Sequence, residues 1–196
     1  SFVLSCLVAA KSDPILAKKT NAIPPALKNN KGHDVTISVG DKLPDAMLVK
    51  MGADGPEQVS ISTLTEGRTV VFFAVPGAYT GTCTTAHVPS FIRTKDTFKE
   101  RGVDEIICVS VNDPFVMGAW GESTGATDAG ITMAGDPEAA FTTAMGMEFS
   151  APPAGLIDRS KRYAMLVMDG EVKVLNEEEN PGMCEVSAGE GLLEDM

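Results

Sequence analysis

The chain has 196 residues, of which 43% are hydrophobic and 22% charged, a composition typical of one globular domain with a full core. Its formal net charge of −11 argues against binding to nucleic acid or to an anionic lipid surface. No apolar run reaches the roughly 18 residues of a membrane-spanning helix, so no membrane span is predicted.

Residues 1–34 differ in composition from the rest of the chain. They contain five lysines and two aspartates, a net charge of +3, which leaves −14 for the remainder. The first ten residues are apolar and the lysines follow them, an order opposite to that of an intact signal peptide. We interpret 1–34 as an extension, either a truncated targeting segment, a pro-segment or sequence added for expression, and 35–196 as the folded domain.

Six segments of the domain are predicted to be strands. Three of them are almost wholly apolar, a pattern typical of strands covered on both faces of a sheet. The last two are separated by Asp169-Gly170, a strong hairpin signal. In chain order the predicted strands are Ala46–Lys50, Thr69–Val75, Glu105–Val111, Ile131–Ala134, Tyr163–Met168 and Glu171–Leu175.

Four segments between or after these strands are predicted to be helices. Asp113 and Asp136 each precede a proline, the order of an N-cap followed by the first helical residue. Gly102 and Gly146 are suited to end helices, and Ser187 is a candidate N-cap. The predicted helices are Thr84–Arg101, Pro114–Ser123, Pro137–Met145 and Val186–Asp195. This alternation predicts an α/β class with a mixed central sheet flanked by helices, the architecture of a thioredoxin-like fold.

Cys83 lies between the apolar strand Thr69–Val75 and the start of the next predicted helix. Unpaired backbone N–H groups and the helix dipole stabilise negative charge at such a position. The thiolate form of cysteine is the nucleophile, so Cys83 is the candidate reactive residue.

The other cysteines are Cys6, Cys108 and Cys184. No two of the four form a C-x-x-C pair and no histidine cluster accompanies them, so neither a zinc site nor any other metal site is predicted. Their small number also argues against a disulfide-rich secreted scaffold. We expect a reducing compartment, either the cytoplasm or an organelle matrix, and the extension leaves organelle targeting open.

Several separated motifs resemble those of one enzyme family. The spacing Pro76-x-x-x-Thr80-x-x-Cys83 is similar to the active-site signature of the peroxiredoxins. The sequence around it resembles the type II, or peroxiredoxin-5-like, group from about Val39 to the C-terminus. The matching stretches are Val75–Thr80 with His87-Val88-Pro89, Val109–Met117 with Ala119-Trp120, Arg159–Ala164 and Val186-Ser187.

The resemblance implies a thiol peroxidase that needs no metal, flavin or other cofactor. Cys83 would attack the peroxide and become a sulfenic acid. Thr80 would hydrogen-bond the peroxide and the cysteine, Arg162 would stabilise the thiolate and the departing oxygen, and Pro76 would shield Cys83 from water. Arg159 and His87 would support the site, His87 by packing or by a hydrogen bond.

The chain departs from the family pattern at one position of this loop. Many type II enzymes have proline where this chain has Gly81, and glycine costs more conformational entropy to order. We therefore expect a less rigid loop with unchanged chemistry.

The thiol that reduces the sulfenic acid is left open by the sequence. Cys108 occupies a spacing similar to that of plant-like type II enzymes, and Cys184 lies near the resolving position of animal relatives. Cys6 lies in the extension and is not expected to be the resolving residue. The third alternative is direct reduction of Cys83 by glutathione, glutaredoxin or thioredoxin.

The sequence is also compatible with other functions. A non-catalytic redox sensor or holdase of the same fold is an alternative function, whereas the absence of C-x-x-C argues against a disulfide reductase. Type II relatives are commonly dimers, so we expect a homodimer, with Phe115, Val116 and Trp120 either near its interface or in the core.

Overall fold

The computed structural model describes residues 36–196. Nine strands are formed: β1 Met47–Gly52, β2 Gly55–Ser60, β3 Thr69–Val75, β4 Glu105–Ser110, β5 Thr132–Gly135, β6 Glu148–Ala151, β7 Leu156–Ser160, β8 Tyr163–Met168 and β9 Glu171–Glu177. Five α-helices accompany them: α1 Ile61–Thr65, α2 Val88–Glu100, α3 Pro114–Thr124, α4 Ala140–Ala144 and α5 Gly189–Glu194. The predicted extension 1–34, with Cys6, lies outside the described residues.

Seven strands form one mixed sheet in the order β2-β1-β5-β4-β3-β8-β9. The central strands β5, β4 and β3 are parallel, and the strands on either side of them pair antiparallel. Strands β6 and β7 form a separate two-stranded sheet. The predicted mixed sheet flanked by helices is confirmed, and all six predicted strands are present with end shifts of one or two residues.

The position of strand β3, buried on both faces, explains why its sequence is apolar throughout. Val71, Phe73 and Val75 pack into one core cluster, which also holds Cys83 and side chains of α2 and α3. Alternate residues Val70, Phe72 and Ala74 pack into a second cluster on the other face. Because successive side chains of a strand point to opposite faces, a strand covered on both sides needs apolar residues at every position.

Strands β2, β6 and β7 were not anticipated from the sequence. Strand β2 is mostly exposed, has Gly55 and Pro56 at its start, and pairs at the sheet edge with β1. Strands β6 and β7 are four and five residues long, and two residues of each are exposed. Their pairing partners, rather than their own hydrophobic pattern, make them strands.

The predicted signals at the ends of helices are only partly confirmed. The Asp113 side chain caps α3 by accepting from the Val116 N–H at 3.0 Å, and Asp169 and Gly170 both adopt positive φ in the β8–β9 hairpin. The prediction that the third helix begins at Pro137 is wrong, because Ala139 adopts a φ of 52° and the regular helix begins at Ala140. The prediction that Ser187 caps the last helix is also wrong, since its hydroxyl bonds Glu178.

The helix after Cys83 contains a wide turn. Residues Cys83–His87 form a π-helical turn, closed by the Val88 N–H to the Cys83 carbonyl, before regular α2 begins. Pro89 has no N–H to give to the carbonyl four residues earlier, and its ring crowds that carbonyl, which favours a local widening of the helix. Within the described part of the chain, no helix is both long and apolar enough to cross a bilayer.

Candidate active site

The loop between β3 and Cys83 is fixed by its neighbours. Pro76 is buried directly after β3, and Tyr79 adopts a left-handed φ of 61°. The Ala78 N–H donates to Asn112 Oδ1 at 3.0 Å, and the Ser110 hydroxyl donates to the same oxygen at 2.8 Å. The residues that follow β4 therefore hold the loop that leads to Cys83, a role that the sequence motif alone did not reveal.

Cys83 and Arg162 meet although 79 residues separate them. Arg162 Nη2 lies 3.3 Å from the Cys83 sulfur, and both side chains are almost completely buried, Cys83 at 0% and Arg162 at 2% exposed. Arg162 immediately precedes β8, which pairs with β3, the strand that leads into the cysteine loop. Sheet pairing thus brings the cation to the cysteine.

Arg162 makes further hydrogen bonds that determine its orientation. Its Nε and Nη2 donate to the Pro181 carbonyl at 3.2 and 2.9 Å, and its Nη1 lies 3.0 Å from His87 Nδ1. A guanidinium has five N–H donors. One N–H of Nη1 is thus left without a partner among residues 36–196.

His87 is fully buried one turn beyond Cys83. Its Nε2 lies 2.9 Å from the Ser187 carbonyl, on the C-terminal segment. Burial and, second, the positive charge of Arg162 lower the pKa of His87 from 6.5 to about 3. The imidazole is therefore neutral at physiological pH, and the expected hydrogen-bonding role of His87 is made specific: it bonds Arg162.

Thr80 is at the start of the Cys83 helix, where its carbonyl accepts from the Thr84 N–H at 3.1 Å. Its hydroxyl donates to the Gly77 carbonyl at 2.9 Å. The structure therefore differs from the expected hydrogen bond between Thr80 and the Cys83 sulfur, because the hydroxyl proton is directed to the carbonyl three residues back.

Arg159 also lies beside the cysteine loop. Its Nη1 donates to the Val111 carbonyl at 2.9 Å and is 3.5 Å from where a side chain on Gly77 would begin. This contact joins β7 to the loop after β4, so Arg159 supports the walls of the site rather than Cys83 itself.

Gly81 precedes Cys83 by two residues, and the space that a Cβ atom on Gly81 would occupy is open.

The two candidate resolving cysteines have different environments. Cys108 is fully buried in β4, paired with Phe73 of β3 and Met133 of β5, and burial, with Cys83 adding to it, raises the pKa of its thiol. Cys184 is half-buried in the segment after β9, and burial raises the pKa of its thiol as well.

The segment 178–188, here called the C-terminal loop, contains Cys184, but its contacts with Arg162, His87 and Thr82 were not anticipated from the sequence. It gives the Pro181 carbonyl to Arg162, the Ser187 carbonyl to His87, and the Gly182 carbonyl to the Thr82 hydroxyl at 3.0 Å. Glu178 Oε1 holds this loop by accepting from the N–H groups of Glu185 and Ser187 and from the Ser187 hydroxyl. Backbone carbonyls have no sequence signature, and Glu178 is hidden in a run of three glutamates.

Comparison with known proteins identifies the family of the chain. The Redoxin family model matches residues 38–193. A chloroplastic peroxiredoxin-2E-2 of Oryza sativa is 50% identical over 161 residues, covering 80% of this chain and 72% of its own length. A mitochondrial peroxiredoxin-2F of Arabidopsis thaliana is 44% identical over 133 residues, covering 68% of this chain and 66% of its own length.

Solved structures show the same fold. Reduced Prx3 of Vibrio vulnificus in complex with H₂O₂ is 44% identical, superposes with a TM-score of 0.76, and covers 81% of this chain and 98% of its own. Peroxiredoxin 5 of Alvinella pompejana is 32% identical, with a TM-score of 0.71, and covers 81% of this chain and 97% of its own. The thioredoxin-like fold predicted from the sequence is confirmed. The chain belongs to the Redoxin family, and within it to the type II, peroxiredoxin-5-like group of peroxiredoxins.

Proposed function

We propose that Cys83 is the nucleophile with which this peroxiredoxin reduces hydrogen peroxide and small organic hydroperoxides. The observation that supports this most strongly is the 3.3 Å contact between Arg162 and the Cys83 sulfur in a site shielded from water. A neighbouring cation favours the thiolate over the thiol. The Vibrio vulnificus relative was crystallised with H₂O₂, which supports the same substrate class.

The reaction is a displacement at oxygen. The Cys83 thiolate forms an S–O bond to one peroxide oxygen while the O–O bond breaks and the second oxygen leaves as hydroxide or alkoxide, which then takes up a proton. The sulfur is oxidised to a sulfenic acid and the peroxide is reduced to water or an alcohol. Negative charge develops on the leaving oxygen, and the unpaired Nη1 N–H of Arg162 is the donor we assign to it.

Thr80 and Pro76 complete the proposed site. Thr80 would turn its hydroxyl from the Gly77 carbonyl to the bound peroxide, a rotation about one side-chain bond. Pro76 is buried directly after β3 and has no N–H of its own, and we assign to it the shielding of the Cys83 sulfur from water.

A peroxide-consumption assay with a thiol reductant tests the function. Wild-type protein should turn over many equivalents of peroxide, and Cys83→Ser should abolish this turnover. Oxidation of only one equivalent per chain, without turnover, would instead indicate a redox sensor or holdase.

We propose that an external thiol, namely glutathione, glutaredoxin or thioredoxin, reduces the sulfenic acid. Cys108 is a poor internal candidate because it is fully buried in the middle of the sheet and burial disfavours its thiolate. Cys184 is the better placed internal candidate, since it lies on the C-terminal loop that contacts both Arg162 and Thr82. Assaying the Cys108→Ser/Cys184→Ser double variant with each reductant separates the alternatives: unchanged turnover supports the external route.

We also propose that the protein forms a homodimer and that residues 1–34 target it to an organelle. Phe115 is 63% and Tyr79 57% exposed near the cysteine loop, which suits an interface, whereas Trp120 is fully buried and belongs to the core. Sedimentation should give twice the chain mass.

Chloroplastic and mitochondrial relatives support a targeting role for residues 1–34. A fluorescent protein carrying these residues should enter one of those organelles in plant cells, and diffuse cytoplasmic signal would contradict this.

A further inference from the structure

Apart from the Cys83 sulfur, the groups that hydrogen-bond the Arg162 guanidinium are neutral, and the Glu178 carboxylate acts on it only through space. Its protein partners are the Pro181 carbonyl, His87 Nδ1 and the Cys83 sulfur. It forms no salt bridge with any carboxylate of residues 36–196. A buried arginine is ordinarily paired with an acid, so the use of neutral acceptors here leaves its positive charge for Cys83 and its substrate.

The proton positions on His87 follow from the chemistry of its two partners. A guanidinium can only donate, so Nδ1, 3.0 Å from Arg162 Nη1, carries no proton and accepts. A carbonyl oxygen can only accept, so Nε2, 2.9 Å from the Ser187 oxygen, carries the proton. The ring is thus neutral, with one defined tautomer.

The imidazole is also fixed in position. Its ring packs edge-on against Phe73, with centroids 5.1 Å apart, and lies 5.6 Å from Phe91. The Ser187 carbonyl that orients it is held in turn, because the N–H and hydroxyl of Ser187 both donate to Glu178 Oε1 at 2.9 Å. A rigid acceptor therefore faces Arg162 Nη1.

We propose that His87 is a positioning residue of the peroxidase site: a neutral acceptor that aims the Arg162 guanidinium at Cys83 without cancelling its charge. The proposal rests on the assignment of Cys83 as nucleophile. A carboxylate at the same place would bind Arg162 at least as firmly but would neutralise it. An apolar side chain would leave the charge intact but would remove the hydrogen bond that fixes Nη1, leaving only the bonds to the Pro181 carbonyl to orient the guanidinium.

Three substitutions of His87 distinguish the effect of orienting the Arg162 guanidinium from the effect of its charge. His87→Asn places a neutral amide oxygen where Nδ1 lies and preserves the bond to Arg162. His87→Asp places a charged carboxylate oxygen at the same point. It differs from His87→Asn only in that a carboxylate oxygen replaces the amide NH₂ group. His87→Leu removes the acceptor and stays apolar.

Ser90→Ala is the matched control. Ser90 lies on the same helix, its hydroxyl donates to the His87 carbonyl and accepts from the Gly189 N–H, and it does not contact Arg162. This control therefore disturbs the contact between helix and C-terminal segment while leaving the bond between His87 and Arg162 in place.

Two measurements are made on each variant, in a background where Cys6, Cys108 and Cys184 are serine. The first is the rate of Cys83 alkylation by iodoacetamide against pH, which requires no peroxide. The second is the rate of Cys83 oxidation by H₂O₂, followed by the fluorescence of Trp120, the only tryptophan, whose Nε1 donates to Thr84 Oγ1 at 3.1 Å.

We expect His87→Leu and His87→Asp to slow oxidation roughly 10- to 100-fold, the range for a lost charge-assisted hydrogen bond. Both should also slow the alkylation of Cys83. His87→Asn and Ser90→Ala should stay within about threefold of the wild type on both measurements, since they keep the bond to Arg162. If His87→Leu does not fold, the Asn and Asp variants decide the question by themselves.

Wild-type rates in His87→Leu, equal losses in the Asn and Asp variants, or the same loss in Ser90→Ala would each overturn the proposal. Because alkylation uses no peroxide, its result is independent of the proposed activity. An absence of peroxide turnover in the wild type would refute the peroxidase assignment, whereas the alkylation profiles alone decide whether His87 aims Arg162.

Discussion

Replacing Arg162 by methionine is the most direct test of the site. Methionine is apolar and of comparable length, so it fills much of the buried space while removing the charge and the hydrogen bonds to Pro181, His87 and Cys83. The thiolate and the leaving oxygen would then lie in a buried site without a cation.

The magnitude follows from the contact distance. At 3.3 Å and an effective dielectric constant of about 20, the attraction between two unit charges is about 5 kcal/mol. Desolvation offsets part of this, and a hydrogen bond to a charged group is worth about 1.5–3 kcal/mol net. The rate of Cys83 oxidation should therefore fall roughly 10- to 150-fold.

The assay is stopped-flow fluorescence of Trp120 after mixing reduced protein with H₂O₂. Arg162→Lys should recover only part of the rate, because an ammonium group cannot bond Pro181, His87 and Cys83 in the fixed geometry of a guanidinium. Arg93→Met is the control, since Arg93 is an exposed residue of α2 paired with Glu190. Urea unfolding of each variant confirms that the measured protein is folded.

An Arg162→Met rate within about threefold of the wild type would refute the reasoning. It would mean that the 3.3 Å contact does not stabilise the reacting thiolate. A comparable loss in Arg93→Met would show instead that the effect is not specific to the site.

Three further predictions concern the surrounding segments. Gly81→Pro should raise the free energy of unfolding by about 0.4–1 kcal/mol in urea denaturation with activity kept, because Gly81 lies at the helix start with open space around it; loss of activity would show that the glycine conformation is required. Cys108→Ser should leave peroxide turnover within about twofold, and mass spectrometry of peroxide-treated protein should show no disulfide to Cys108, since it is buried in β4; a disulfide would restore it as a resolving residue. Burial favours a raised pKa of Glu178, but the Ser187 and Glu185 N–H groups, the Ser187 hydroxyl and Arg162 outweigh it, so the net pKa lies below its ordinary value. Its contribution to stability is present above about pH 4.5 and is lost as pH falls through the lowered pKa, so Glu178→Gln should flatten the acid limb of a stability–pH curve; an unchanged limb would contradict this.

Much of this protein was predictable from the order of its residues. The all-apolar run Thr69–Val75 predicted a strand covered on both faces, and the structure places it inside the sheet, between β4 and β8. Asp113 before Pro114 and Asp169 before Gly170 identified a helix start and a hairpin, because these signals act over a few residues. Cys83 stood out for the same reason: a cysteine between a buried strand and a helix start is a local pattern.

The tertiary structure alone decided what surrounds that cysteine. Arg162 reaches the Cys83 sulfur because β8 pairs with β3, and a long-range pairing of this kind cannot be read from local periodicity. The Pro181 and Ser187 carbonyls, which orient Arg162 and His87, belong to the backbone and leave no mark in the sequence. The residue order therefore determined the strands, the turns and the reactive cysteine, whereas the direction and charge of the groups facing Cys83 were set by packing between segments distant in the chain.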